Sequence, residues 1–180
     1  MRRVQSVVAV MLLLCASLVA SGPAAAASPP GLRAILAGRA IPVSQVSRLH
    51  CHDGAYPTIR CFQDPTARDR DAVRVANRRQ ADFGGPRRGG LAPLIVYYVR
   101  FYEHENYGGA SYQASAPLPD FTQIGWNDTV TSFQSLSNGR PKWYQDVYYG
   151  GGSSRWSAGF WVANVGGDLN DTFSSVKNVP

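Results

Sequence analysis

The chain has 180 residues, of which 44% are hydrophobic and 17% charged, so it can fold as one domain with additional segments and is too apolar to be disordered throughout. Its net charge is +6, but residues 28–94 contain 11 arginines and 5 aspartates, whereas residues 95–180 contain 5 basic and 7 acidic residues. Because the positive charge belongs to the N-terminal half, it argues against specific nucleic-acid binding by the chain as a whole.

The first residues have the pattern of a secretory signal peptide. Two arginines precede an apolar stretch at Val7–Val19, and small residues follow it up to Ala27. We therefore predict that residues 1–27 are removed, that the mature protein is secreted, and that it has no transmembrane segment. Lipidation of Cys15 is disfavoured, because Leu14 stands where a lipoprotein signal needs a small residue.

Two cysteines remain after cleavage, Cys51 and Cys61. In an oxidising compartment an even pair indicates a disulfide that closes a short loop. His50 and His52 flank the first cysteine, so a zinc site is the alternative. We favour the disulfide because the chain is predicted to be exported.

Few elements are predicted with clarity before residue 90. The apolar residues at positions 32–36 fit a short helix, and those at positions 41–46 fit a strand. Residues 67–80 fit a helix of mixed charge, and residues 84–90 read as a flexible linker. The arginines at positions 68–88 are interpreted as a solvated face, with contact to a cell-envelope polymer or another polyanion as the alternative.

The composition changes after the linker, where LIVYYVRFY at residues 94–102 is typical of a strand. Glycine and proline then interrupt the chain every few residues, as in an all-β sandwich. The segment at residues 100–112 also resembles the one at residues 142–154, in its aromatic pair and its Tyr-Gly-Gly. We predict a basic extension at residues 28–94 and a two-copy domain at residues 95–180.

Each copy ends in an oxygen-rich hexamer, NDTVTS at Asn127–Ser132 and NDTFSS at Asn170–Ser175. Carboxylate, amide, hydroxyl and carbonyl oxygens are ligands that Ca²⁺ prefers. A single hexamer of this kind is more simply explained as a turn, since these residue types bond locally to the backbone. Two copies in register favour calcium.

These motifs resemble the microbial calcium-binding βγ-crystallins over residues 95–179. The family signature is an aromatic residue, four residues, a second aromatic residue, one residue and glycine, followed by the hexamer. It is met by Tyr102, Tyr107 and Gly109, and again by Tyr144, Tyr149 and Gly151. The resemblance implies an all-β fold in which two Greek-key motifs form a β-sandwich.

The resemblance also implies two calcium sites, each formed where the hexamer of one motif faces the hairpin of the other. Low ligand charge then predicts modest affinity, because each hexamer brings one carboxylate. Within each hexamer, aspartate and the hydroxyl residue would offer side-chain oxygens, and the residue after aspartate its carbonyl. The ligands carried over by position are Asp128, Thr129, Thr131, Asp171, Thr172 and Ser174, with Asn127, Asn170, Glu103 and Gln145 as less secure members.

The sequence therefore predicts a secreted, non-enzymatic calcium-binding protein in which the ion stabilises the fold, with a structural or stress-related role. None of the common catalytic motifs is present. A metalloproteinase inhibitor is the alternative, because bacterial inhibitors of that class share the fold, and its partner would be a secreted protease. The abundant tyrosines of residues 97–149 are interpreted as core and hairpin lids, with an exposed carbohydrate platform as a lesser alternative.

Overall fold

The computed structural model describes residues 31–82, 97–136 and 139–180, and these contain eleven strands and one α-helix. The signal peptide and the linker predicted at residues 84–90 lie outside this part of the chain. The elements are β1 (Arg33–Leu36), β2 (Arg39–Ile41), β3 (His50–Ala55), β4 (Thr58–Phe62), α1 (Pro65–Asp82), β5 (Val99–Tyr102), β6 (Ser111–Ala114), β7 (Ser132–Ser135), β8 (Pro141–Tyr144), β9 (Ser153–Arg155), β10 (Trp161–Val162) and β11 (Ser175–Asn178).

Two sheets hold the repeated domain, and the two copies exchange a strand. The larger sheet contains β10-β7-β5-β6, and the smaller sheet contains β11-β8-β9. The second copy gives β10 to the sheet of the first, where it pairs with β7. The first copy gives the segment at Leu118 to the sheet of the second, where it bridges Val176. This reciprocal exchange is the arrangement of two interlocked Greek-key motifs, and the predicted all-β fold class is confirmed.

Aromatic residues fill the space between the sheets. The ring of Phe101 lies 5.7 Å from that of Trp143, and Trp143 lies 5.0 Å from both Phe133 and Phe173. All four side chains are fully buried. Because both copies contribute rings to one cluster, the two Greek keys share a hydrophobic core and are expected to fold together.

The N-terminal segment continues the larger sheet. Strand β3 pairs in parallel with β6, in the register His50↔Ser111, and β4, β1 and β2 follow outward. The short helix considered at residues 32–36 is wrong, since Arg33–Leu36 forms β1, which pairs with β4. The strand considered at residues 41–46 is wrong beyond Ile41, because Val43–Arg48 is a 3₁₀ helix. Short apolar runs do not distinguish helix from strand without their partners.

The predicted disulfide is confirmed. Cys51 and Cys61 are directly opposite each other on β3 and β4, with their Cα atoms 4.1 Å apart and their sulfurs bonded. Both sulfurs are therefore used by the disulfide, and the zinc alternative is not supported.

The helix predicted at residues 67–80 is confirmed as α1. Asp64 caps its first turn by accepting hydrogen bonds from the backbone N–H groups of Thr66 and Ala67, and Pro65 takes the first helical position. Arg68 departs from the predicted solvated face, because it is buried and donates to Ser111 Oγ on β6. Within the described residues, no helix is long and apolar enough to span a membrane.

Candidate functional site: the paired hexamers

Each Greek key begins with a folded hairpin of unusual backbone conformation. In the first, Asn106, Tyr107 and Gly109 have φ angles of 54°, 64° and 71°. In the second, Tyr148, Tyr149 and Gly151 have φ angles of 55°, 67° and 67°. Three of these residues are bulky tyrosines, for which positive φ is uncommon and strained. The repetition of the same conformation in both copies indicates that the hairpins are equivalent.

The last serine of each hexamer fastens the hexamer to its own hairpin. Ser132 Oγ donates to the His104 carbonyl at 2.6 Å and accepts from Tyr107 N at 3.2 Å. Ser175 Oγ donates to the Asp146 carbonyl at 2.7 Å and accepts from Tyr149 N at 3.1 Å. These serines were not among the predicted ligands. Their presence at the sixth position of both hexamers was the available sequence signal. In the structure, their role is to bond each hexamer to its own hairpin.

The front halves of the two hexamers lie against each other. Asp128 N donates to the Phe173 carbonyl at 3.2 Å, and Asp171 N donates to the Val130 carbonyl at 3.4 Å. Both aspartates have positive φ, 51° and 53°, a conformation that aspartate adopts more readily than most residues. The hexamers are thus related by an approximate two-fold axis that runs between them.

This crossing brings side-chain oxygens of different hexamers together. Ser174 Oγ lies 3.4 Å from Asp128 Oδ1, and Thr131 Oγ1 lies 3.5 Å from Asp171 Oδ1. Aspartate and hydroxyl of the same hexamer are not paired in this way. Each group of oxygens therefore combines the aspartate of one Greek key with the hydroxyl residue of the other. It lies beside the hairpin of the key that supplies the hydroxyl.

The remaining predicted ligands have more local contacts. The Thr129 hydroxyl donates to the Asn127 carbonyl, and the Thr172 hydroxyl donates to the Leu169 carbonyl, both at 2.9 Å. The hydroxyls of these two threonines are therefore engaged, whereas their carbonyls accept no backbone hydrogen bond from another described residue. This is consistent with the carbonyl role given to them by the motif.

The two hairpin residues also turn their side chains toward their own hairpins. Glu103 Oε2 accepts from Ala110 N at 3.2 Å, and the Gln145 side chain lies against Gly152. Within the described residues, neither side chain forms a hydrogen bond with a hexamer. Their backbone oxygens are therefore the atoms that a shared site with the hexamers would use.

Both hexamers contain an asparagine oxygen with no hydrogen-bond donor. Asn127 Nδ2 donates to Asp128 Oδ2 at 2.6 Å, and Asn170 Nδ2 donates to Asp171 Oδ2 at 2.9 Å. Oδ1 of each asparagine is buried and has no partner among the described residues. A buried oxygen without a donor is costly, so a cation at this position would fit both loops.

The donor set is rich in neutral oxygens and poor in charge. Among the described residues, no three His, Cys, Asp or Glu side chains gather as a metal cluster. The aspartates at positions 128 and 171 are exposed, and each is paired with a hydroxyl rather than with a second carboxylate. Such a set suits a hard cation bound largely by hydroxyl, carbonyl and water oxygens, and it does not suit zinc.

One buried carboxyl was missed by the sequence analysis. Asp53 on β3 is 1% exposed, and its Oδ2 has no hydrogen-bond partner among the described residues. Burial raises the pKa of Asp53 to about 6, although hydrogen bonds from Ser115 and Ala116 offset part of this effect. A single aspartate in the segment HCHDGAY gives no sequence signal of this environment.

The structure is similar to several solved βγ-crystallin domains. A domain from Clostridium beijerinckii is 31% identical, with 44% of this chain and 94% of that chain covered and a TM-score of 0.40. A βγ-crystallin from an archaeon is 24% identical, covering 47% and 99%, with a TM-score of 0.42. A domain from Flavobacterium johnsoniae is 21% identical, covering 46% and 93%, with a TM-score of 0.41. Each match spans nearly all of the other chain and less than half of this one.

A family model also matches part of the chain. The model of peptidase inhibitor family I36 matches residues 98–157, which include the first Greek key and the first hairpin of the second. Among curated proteins, no sequence matches the chain. The resemblance to βγ-crystallins predicted from the two aromatic-glycine motifs is confirmed, and the match to an inhibitor family is consistent with the related fold of that class.

Proposed function

Since residues 97–180 form a βγ-crystallin-type domain, we propose that this protein is a secreted, non-enzymatic protein that binds two calcium ions at its paired hexamers. The observation that carries the proposal is the approach of Asp128 to Ser174 and of Asp171 to Thr131. Each pair places a carboxylate beside a hydroxyl from the other Greek key. Secretion is supported by the signal-peptide pattern of residues 1–27.

Each site draws its ligands from both copies. The first would use Asp128, the Thr129 carbonyl and Ser174, completed by a backbone oxygen at Gln145. The second would use Asp171, the Thr172 carbonyl and Thr131, completed by a backbone oxygen at Glu103. The asparagines at positions 127 and 170 would bind through Oδ1 or brace the aspartates. One carboxylate per site predicts affinity toward the weak, extracellular end of the range, roughly 10⁻⁴–10⁻³ M.

Calcium would stabilise the fold because each ion would connect the two Greek keys. An ion that binds the native state and not the unfolded chain stabilises by mass action, by about 2.7 kcal/mol at a hundredfold excess over its dissociation constant. Such calcium-dependent stability would suit a structural or stress-related role in the extracellular space.

Calorimetric titration of calcium into the chelator-treated mature protein tests the proposal. We expect saturable binding of two ions and a calcium-dependent rise in melting temperature, both lost in Asp128→Ala/Asp171→Ala. Asp64→Ala is a matched control, because it removes an exposed aspartate far outside the hexamers. No heat and no thermal shift at calcium concentrations well above about 10⁻³ M would mean that the hexamers are only turns.

Two double variants test how the sites are composed. Asp128→Ala/Ser174→Ala changes two ligands of one site and should leave one bound ion. Asp128→Ala/Thr131→Ala changes one ligand of each site and should weaken both. If the first variant lost both ions and the second lost one, each site would belong to a single hexamer.

Peptidase inhibition is the second candidate, and the family match at residues 98–157 favours it. Among the described residues of the domain, three large apolar side chains are exposed and available for contact with a protease: Tyr148, Phe160 and Trp161. The mature protein should be incubated with secreted metalloproteases. Stoichiometric loss of protease activity would support inhibition, whereas digestion of the protein would reject it.

A further inference from the structure

A cavity of about 290 Å³ lies where the N-terminal segment meets the first Greek key. Leu32, Asp53 and Tyr56 line it from the N-terminal segment, and residues of β6 and of the segment 116–124 line it from the domain. Most of its wall is apolar, with Tyr112 buried beneath it and Tyr56 58% exposed. The volume is near the lower end for small-molecule sites, so the cavity suits a small ligand or a single side chain.

The buried polar group of this cavity is the Asp53 carboxyl. Its Oδ1 accepts from Ser115 N at 2.7 Å, whereas its Oδ2 has no partner among the described residues. A second carboxyl, Asp120, also lines the cavity, and its Oδ1 accepts from Thr122. Of the described residues that line the cavity, none is an arginine, lysine or histidine. The cavity therefore combines apolar walls with negative charge that no basic side chain of this lining neutralises.

We propose that this cavity binds an organic cation, a primary alkylammonium group, with Asp53 Oδ2 as the acceptor, which requires the carboxyl to rotate toward the cavity because Oδ2 is buried. An ammonium group has three donors and a positive charge, which satisfy a buried carboxylate oxygen that otherwise bears the cost of desolvation. The alkyl chain attached to it packs against the apolar wall, and the tyrosine rings attract the cation. The proposal is independent of the calcium sites, because the cavity and the hexamers share no residue.

Other ligand classes fit the cavity less well. A metal ion needs several converging oxygens, but the described lining offers one unpartnered buried carboxylate oxygen among apolar side chains. An anion would meet two carboxyl groups. A neutral apolar ligand would leave Asp53 Oδ2 without a donor. The ammonium could belong to a free amine or to a lysine side chain of a partner polypeptide, and the chemistry at Asp53 is the same.

The test is a titration of the mature protein followed by NMR, with the amide signals of Ser115 and Ala116 as reporters. The probes are n-butylammonium, 1-butanol and butyrate, which share an alkyl chain and differ in the head group. We expect saturable shifts with n-butylammonium only. Equal saturation by 1-butanol, or no saturable shift with any probe, would overturn the proposal. N-acetyl-lysine N-methylamide distinguishes the sources, since its stronger binding indicates a lysine side chain and its exclusion indicates a free amine.

Variants connect the shifts to the carboxyl. Asp53→Asn keeps an oxygen for Ser115 N and removes the charge, and it should weaken n-butylammonium binding by at least about tenfold. Asp168→Asn is the matched control, because it removes an exposed aspartate outside the cavity and should bind as the unaltered protein does. If Asp53→Asn does not fold, Ala116→Leu fills the cavity from its wall and should abolish binding while Asp53 stays in place. Unchanged binding in both variants would reject the site.

The pH dependence gives an independent reading. The pKa of Asp53 is raised to about 6 by burial, so n-butylammonium affinity should increase as the pH rises through that value. The other titratable groups that face Asp53 are Asp120 across the cavity and the phenols Tyr56, Tyr98 and Tyr112. Asp120→Asn isolates the contribution of the rim carboxyl, and the pH effect should persist in it. An affinity that does not change with pH would contradict the role of Asp53.

Discussion

At the tip of the first hairpin, Gly109 combines a left-handed backbone with a close approach. Its φ is 71°, and a Cβ atom there would lie 2.8 Å from His104 Cδ2 and 3.1 Å from Glu103 Cβ. Gly159 has a similar φ of 75°, but a Cβ atom added there would have no described neighbour within 4 Å. Substitution of Gly109 and Gly159 by alanine therefore distinguishes the cost of backbone strain from the cost of steric overlap.

We expect Gly159→Ala to reduce the free energy of unfolding by about 1 kcal/mol, because alanine is strained at positive φ. Gly109→Ala should reduce it by about 2–3 kcal/mol, since crowding adds to the same strain. Urea denaturation of both variants measures the difference. Equal losses would show that the hairpin yields to a methyl group and that the motif glycine is required for φ alone.

Asp53 makes stability depend on pH in a direction opposite to that of most carboxyl groups. Its folded pKa is raised from 3.8 to about 6, so its favourable contribution is fully present below 3.8 and is lost as pH rises through about 6. Above that pH the buried carboxylate costs on the order of 3 kcal/mol. Asp53→Asn should therefore become more stable relative to the parent protein as pH rises from 4 to 7.5, and a difference that stays constant would disprove the assignment.

Three aspartates show which site residues could be predicted from the sequence and which could not. Asp128 and Asp171 were predicted as ligands because they stand at matching positions of two copies, and repetition makes a local pattern specific. The partner of each aspartate was not evident, because the crossing of the hexamers depends on the packing of two Greek keys. Asp53 has no repeated counterpart, and its burial arises from strand pairing that no local pattern reveals.

At the scale of elements, α1 is held to the sheet by a polar cluster centred on Asp71. Asp71 accepts from Arg60 Nε at 2.5 Å and is paired with His52 Nε2 at 3.0 Å. Burial alone would raise the pKa of Asp71, but the hydrogen bonds from Arg60 and His52 outweigh it and the pKa is lowered. Stability from this cluster is therefore present above about 3.8 and is lost as the carboxyl becomes protonated at lower pH.

Asp71→Ala should destabilise the protein by about 2–4 kcal/mol at neutral pH, because buried His52 and half-buried Arg60 lose their shared partner. Asp64→Ala is the comparison on the same helix, where removal of the exposed cap should cause a clearly smaller loss. Thermal denaturation at pH 7 measures both variants. A similar small loss in each would mean that α1 is held to the sheet by apolar contacts and not by Asp71.

Elements differed in how well the sequence predicted them. The hairpins and α1 were predicted because aromatic-glycine spacing and a mixed-charge helical composition are properties of neighbouring residues. The N-terminal strands were not, since β1 pairs in parallel with β4, and β3 pairs in parallel with the distant strand β6. Parallel pairing between separated segments has no short-range signal of the kind that a tight hairpin turn provides.

At the scale of the whole molecule, the N-terminal segment covers an edge of the β-sandwich. Strand β3 lies along β6, and Ser111 N donates to the Leu49 carbonyl at 3.1 Å. Without this segment, β6 would be an edge strand with a row of unpaired backbone groups. The extension therefore protects the domain from pairing with other chains.

A fragment of residues 95–180 should retain two Greek keys, because the aromatic core lies within it, but it should self-associate through β6. The intact mature protein should remain monomeric at the same concentration. Cys51→Ser/Cys61→Ser in the intact protein is the matched control, since it removes the disulfide and keeps the covering strand. Sedimentation velocity should show association only for the fragment. A monomeric fragment would mean that the residues of β6 themselves prevent pairing with other chains. Association of the cysteine variant would mean that the disulfide, and not the covering strand alone, prevents this pairing.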